Sequence, residues 1–250
     1  MGKGDRAKSA REKIAQQRAA DQARERRKKL VTYVTAGAVA LAAVGAGWWY
    51  AASRSQAEQA AETLAPITVN PEGDVVMAKE GVTKPVVDIY VDYQCPACRE
   101  LERVSGATFK NLAAEGVAKV VYHPITIFSQ EPLHSNSVRA GAASRCVTDG
   151  PKWMAFNDAL FEHQPSESGE GFKVDELVKL GKDVGITDPG FENCVTSQTY
   201  AKAQADYSKK IGDEHKIEGT PTVKVDGVVL DNSVAFTPQE LRETITEAAK

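Results

Sequence analysis

Hydrophobic residues recur at every second position in KPVVDIYVDY, residues 84–93. Val87, Ile89, Val91 and Tyr93 fall on one face, and Asp88, Tyr90 and Asp92 on the other. That alternation predicts a β-strand, with Pro85 tolerated because it stands at the start. The period then changes. From Pro96 to about Glu115, Leu101, Val104, Phe109 and Leu112 recur at helical spacing, with Gly106 expected to kink the helix and Gly116 to stop it. VAKVVYHPITIF (117–128) predicts a second strand, and ITVNPEGDVVMA (67–78) predicts a hairpin turning at Asn70–Gly73.

From about Ser129 to Ser208 the period stays helical. Four stretches, 135–147, 152–163, 173–185 and 189–210, are separated by Gly150-Pro151, QPSESGEG and GITDPG. The chain then returns to strand in TPTVKVDGVVL, with Asp226-Gly227 signalling a type I′ hairpin. TPQELRETITEAA closes as a helix, with Thr237 as N-cap, Pro238 at the first helical position and Glu240 completing a capping box. A sheet begun before residue 125 and completed after residue 221 makes the block at about 129–208 an insertion. The fold class is α/β, since a parallel strand–helix–strand crossover needs helices packed on its sheet.

Charge divides the chain in a way that the overall value of -3 conceals. Residues 1–29 carry eleven Lys/Arg against four acids, a balance of +7, which leaves -10 for the remainder. Between them runs LVTYVTAGAVALAAVGAGWWYAAS (30–53), without a charged residue. As a helix its first 23 residues would extend about 34 Å, enough for a bilayer core. Trp48, Trp49 and Tyr50 lie at one end, where amphipathic rings favour the membrane interface, and RERRKK abuts the other. We read 1–29 as a basic cytoplasmic tail, 30–52 as a transmembrane signal anchor, 53–65 as a linker, and 66–250 as an exported domain. The competing readings, a buried soluble helix and a cleaved signal peptide, fit less well: the apolar stretch exceeds a usual signal core and its basic leader is long. The tail is a topogenic element and does not require nucleic acid to explain it.

The chemistry sits in YQCPACREL. Cys95 follows the first strand directly, and Pro96 suits the first helical position, where its missing N–H costs nothing. Cys95 thus caps a helix N-terminus, whose free N–H groups and dipole favour a thiolate, the nucleophile of thiol–disulfide exchange. Cys98, one turn on, lies within disulfide reach and resolves the mixed disulfide. Zinc would need a second CxxC or histidines at ligand spacing; the other cysteines, Cys146 and Cys194, stand alone. A structural bridge at Cys95–Cys98 closes so short a loop that it stabilises little. Cys146 and Cys194 read instead as a structural disulfide closing about 49 residues, on the order of 4 kcal/mol in the chain-entropy model. In EGTPTV, a cis bond between Thr220 and Pro221 would aim the Thr220 backbone at an extended peptide. The four histidines are scattered; His123, at a strand end, is the one to examine for proximity to Cys95.

YQCPAC at a strand-to-helix junction, followed by GTPTV before a late hairpin, resembles the thioredoxin fold. The helical block between them is similar to DsbA-type thiol-disulfide oxidases, in which an α-helical domain is inserted into thioredoxin. With the apolar span and the extra pair Cys146/Cys194, residues 66–250 look most like the membrane-anchored DsbA homologues of Gram-positive bacteria, actinobacteria especially. The resemblance implies a thioredoxin-like α/β fold preceded by one transmembrane helix. It also implies insertion of disulfides into reduced, unfolded exported polypeptides, and reoxidation by a DsbB-like or vitamin-K-epoxide-reductase-like membrane partner. Two departures stand out. Ala97 occupies the position where the best-known DsbA motif has histidine, which implies a weaker oxidant. Ile89 occupies the position of a buried acid common in thioredoxins, and Asp88 and Asp92 are expected on the opposite strand face.

The reading is a single-pass, N-in protein disulfide oxidoreductase with Cys95 and Cys98 catalytic. Pro96, Ala97, Thr220 and Pro221 meet the client. No dissociable cofactor and no metal are required, because the cysteines carry the electrons. The rivals are a reductase or isomerase of the same fold, and a tethered peptide-binding module with an inert disulfide.

Overall fold

The computed structural model describes residues 64–250. The basic tail, the apolar span at 30–52 and nearly all of the linker at 53–65 lie outside the described residues. Among the described residues no helix is long and apolar enough to cross a membrane.

Six strands form one sheet: β1 (Ile67–Val69), β2 (Val75–Met77), β3 (Val86–Val91), β4 (Lys119–Pro124), β5 (Thr222–Val225) and β6 (Val228–Val229), in the order β1-β2-β4-β3-β5-β6. Only β3 and β4 run parallel, joined by the long helix α1 (Pro96–Glu115); the other pairs are antiparallel. The hairpin expected at Asn70–Gly73 is β1–β2. Asp226 and Gly227 join β5 to β6, both with positive φ (47° and 84°), as a type I′ turn demands.

The inserted block holds five helices: α2 (Leu133–Ser144), α3 (Gly150–Glu162), α4 (Val174–Asp183), α5 (Pro189–Thr196) and α6 (Ala201–His215). The single helix expected over 189–210 is two, divided near Gln198, whose φ is 49°. After β6 come a short α7 (Asn232–Ala235) and α8 (Pro238–Ala248).

Alternation in β3 sorts its neighbours. Val87, Ile89 and Val91 face the main core with Leu101, Phe109, Leu112, Leu241 and Ile245 of α1 and α8. Tyr90 faces the other way, with Ile125 and with Tyr207 and Ile211 of α6. Two local expectations are corrected. Helix α1 runs unbroken through Gly106, which is buried and leaves room for the Glu102 side chain: a Cβ there would come within 2.6 Å of Glu102 Oε1. Thr237 caps α8 by position only; its hydroxyl donates to the Ser233 carbonyl (2.8 Å), the route taken because α7 ends immediately before it.

Candidate active site

β3 ends at Val91, and Asp92–Gln94 turn the chain into α1. The Cys95 N–H donates to the Asp92 carbonyl (3.0 Å), closing the turn. Cys95 is the N-cap residue with extended backbone, Pro96 opens the helix, and the N–H groups of Cys98 and Arg99 both donate to the Cys95 carbonyl. Pro96 and Ala97 are exposed; Cys95 is 8% exposed and Cys98 fully buried. Both cysteines are free thiols.

This asymmetry separates their ionisation. The Cys95 thiol is lowered to about 6, first by a hydrogen bond from the Cys98 thiol, against burial, and further by the N–H groups of Cys98 and Ala97 at the helix start. Burial pushes Cys98 well above the ordinary thiol range. At neutral pH Cys95 is held toward its thiolate and Cys98 toward its thiol, a division suited to one attacking and one resolving sulfur.

The Thr220–Pro221 bond is cis, and Cys95 Sγ lies 3.3 Å from the Thr220 carbonyl oxygen. A groove of about 650 Å³ opens beside the pair, lined by Ala97, Thr220, Pro221, Val229, Leu230 and Phe236 among others. Val228 and Val229, on the edge strand β6, are the large apolar side chains most exposed to solvent among the described residues.

Two further residues serve this loop, and local pattern did not single either out. The buried Gln164, just past α3, donates through Nε2 to the Tyr93 and Cys95 carbonyls (both 2.9 Å). Only the folding of α3 against α1 brings it there. Asp92, expected on the far strand face with Asp88, is fully buried, and its N–H lies 3.4 Å from Cys98 Sγ. Tyr93 joins the main core with Val87, Ile89 and Val91 as the alternation expects, and Asp92 meets the active-site pair through its main chain.

His123 does not belong to the site. Its ring bonds Asp88 (2.9 Å) and the Tyr207 hydroxyl (2.8 Å) and stacks on Tyr90, fixing α6 to the second face of the sheet. Cys146 and Cys194 are joined, S–S 2.07 Å, tying the segment after α2 to α5. Between α1 and α3, Lys110 Nζ bridges Asp158 (2.7 Å) and Glu102 (3.4 Å); burial raises Glu102 to about 7. Among the described residues no group of His, Cys, Asp and Glu could hold a metal ion.

The thioredoxin family model Thioredoxin_4 matches residues 78–247. Among solved structures, the reduced form of the disulfide bond oxidoreductase DsbG from Mycobacterium tuberculosis is 27% identical, with 72% of this chain and 89% of that one covered and a TM-score of 0.60. Oxidised DsbA of the same organism is 28% identical, with 69% and 87% covered and a TM-score of 0.57. MdbA, a thiol-disulfide oxidoreductase from Actinomyces oris, shares the fold at 24% identity, 72% and 90% coverage and a TM-score of 0.59. No curated protein sequence matches the chain.

Proposed function

Since this chain belongs to the thioredoxin family and is a DsbA-type protein disulfide oxidoreductase, we propose that it works outside the cytoplasmic membrane as an oxidase, giving the Cys95–Cys98 disulfide to exported polypeptides. The observation that carries the direction is the ionisation of Cys95. A thiolate held at about 6 stabilises the dithiol form of the enzyme, and a stabilised dithiol form is what makes a disulfide oxidising. With Ala97 in place of a histidine, that stabilisation comes first from the Cys98 thiol, with the helix-start N–H groups and Thr220 adding to it.

In the reaction, a client thiolate attacks Cys95 Sγ. The Cys95–Cys98 bond breaks, its electron pair goes to Cys98 Sγ, and a mixed disulfide forms at Cys95. The client's second thiolate then attacks the client sulfur of that mixed disulfide and Cys95 leaves as thiolate. Of the client's two thiol protons, one ends on Cys98 and one passes to solvent. Ala97, Thr220 and Pro221 border the groove where the client chain would lie, with the exposed Pro96 next to them in the chain, and the apolar Val229 and Phe236 favour unfolded segments. The dithiol is returned to the disulfide by a membrane partner of DsbB-like or vitamin-K-epoxide-reductase-like type.

The location has two supports. The uncharged span at 30–52 carries a basic leader that favours an N-in anchor. The Cys146–Cys194 bridge belongs in an oxidising compartment.

The deciding experiment is an equilibrium titration of the full-length chain against glutathione, with mass-tagging to follow Cys95/Cys98 apart from Cys146/Cys194. A potential well above about -270 mV, towards about -120 mV, is expected of an oxidase. A value at or below about -270 mV would make the protein a reductase awaiting an electron donor. Cys95→Ser separates both from a binding module: the oxidoreductase loses turnover, whereas a module with an inert disulfide retains peptide affinity.

A further inference from the structure

A buried carboxylate costs several kcal/mol unless charges or donors compensate it. Asp92 is fully buried, and three donors meet its carboxylate. The Gln94 N–H reaches Oδ1 (2.8 Å); the Ile127 N–H (2.8 Å) and the Ser137 hydroxyl (2.6 Å) reach Oδ2. These donors come from three different places: the active-site loop, the segment after β4, and α2 of the inserted block. The main chain of the same residue touches both cysteines, its N–H on Cys98 Sγ (3.4 Å) and its carbonyl on the Cys95 N–H (3.0 Å). A residue needed only to fill the core would carry no carboxyl group here.

We propose that Asp92 is a positioning residue for the redox pair: its carboxylate, clamped by Ser137, Ile127 and Gln94, fixes the Asp92 N–H on Cys98 Sγ and thereby stabilises the dithiol form in which Cys95 is ionised. The physical route is short. A main-chain donor on Cys98 Sγ withdraws electron density from it, so the Cys98 thiol donates more strongly to the Cys95 thiolate. The same N–H donates to Cys98 Sγ and stabilises the negative charge that develops there when the Cys95–Cys98 bond breaks. The inserted helical block thus acts on the redox centre through Ser137, without touching either sulfur.

The inference rests on Cys95 and Cys98 being the exchanging pair, so the wild-type full-length chain is the control. Two quantities are read in each variant: the pH midpoint of Cys95 ionisation, from thiolate absorbance at 240 nm, and the equilibrium with glutathione. Ser137→Ala keeps the Asp92 charge and removes one clamp. It is expected to raise the Cys95 midpoint by about half a pH unit, which is about threefold in the ionisation equilibrium, and to move the glutathione equilibrium in the same proportion towards the enzyme disulfide. Ser137→Thr retains the hydroxyl and restores wild-type values. Asp92→Asn offers an amide N–H₂ where two donors already point, so it shifts both readings in the same direction and further.

If Ser137→Ala and Asp92→Asn lose thermal stability while both readings stay at wild-type values, Asp92 is structural only and the inference is overturned. A lowered Cys95 midpoint in Asp92→Asn, with Ser137→Ala unchanged, would mean that Asp92 acts through its charge, and overturns it equally. Should Asp92→Asn not fold, the two Ser137 variants decide the matter. Failure of the wild-type pair to exchange with glutathione would remove the underlying exchange reading itself, a result separate from either variant.

Discussion

The four positions Cys95-Pro96-Ala97-Cys98 place two chemically identical side chains in opposite environments. Cys95 sits at the helix mouth with a lowered thiol, and Cys98, one turn deeper, has a raised one. Alkylation of the reduced protein by iodoacetamide should therefore rise with a midpoint near pH 6; a midpoint near the ordinary thiol value of about 8.5 would refute the assignment. Because the Cys98 thiol is the largest cause of the lowering, Cys98→Ala should move that midpoint upward. The sign for stability follows. A depressed folded-state value stabilises the reduced protein fully above the unfolded value, about 8.5, and that contribution disappears as pH falls through about 6. Denaturation of the reduced protein between these limits reads it directly. The cysteine pair, Thr220 and Pro221 were all legible in the sequence because CxxC adjacency and a Thr-Pro before a hairpin are local signals. Asp92 and Gln164 were not, since their roles depend on partners 45 and 69–71 positions away.

At the scale of elements, α1 does more than present the cysteines. It carries Glu102 and Lys110 into the contact with α3, where Asp158 completes a cluster of two acids and one lysine. Burial raises Glu102 to about 7, so the folded state holds a proton that the unfolded chain releases near 4.3. A raised value contributes stability fully present below the unfolded value and lost as pH rises through the folded one. Wild-type stability should accordingly fall between about pH 4.5 and 7, and Glu102→Gln should flatten that slope while leaving Lys110 paired to Asp158. The raised Asp92 carboxylate adds a slope of the same sign, which Glu102→Gln leaves in place. An unchanged slope in urea titrations across this range would show that Glu102 is already neutral or already solvated. The strands, the hairpin turns and α1 were readable because each obeys one period from end to end. The break between α5 and α6 was not, since no Gly or Pro marks it and the left-handed backbone at Gln198 divides the helices.

For the whole molecule, the Cys146–Cys194 bridge ties the segment after α2 to α5 across 48 positions of the inserted block. Replacing both cysteines by alanine should cost on the order of 4 kcal/mol at 25 °C in chemical denaturation, while the glutathione equilibrium of Cys95/Cys98 stays at its wild-type value. A changed equilibrium would make the second pair part of the redox chemistry. In intact cells, protease added outside should digest the domain after residue 53 and spare the basic tail; protection of the domain would overturn the proposed topology. The sequence by itself determined the α/β class, the insertion between β4 and β5, and the cysteine pair at the mouth of α1, because these rest on periodicity and on neighbours within one helical turn. Tertiary structure alone decided what partners the buried Asp92 carboxylate finds, which amide secures the Cys95 carbonyl, and that His123 serves the opposite face of the sheet. The physical reason is burial: a polar side chain taken from water must find its partners wherever the fold brings them, and those partners are remote along the chain.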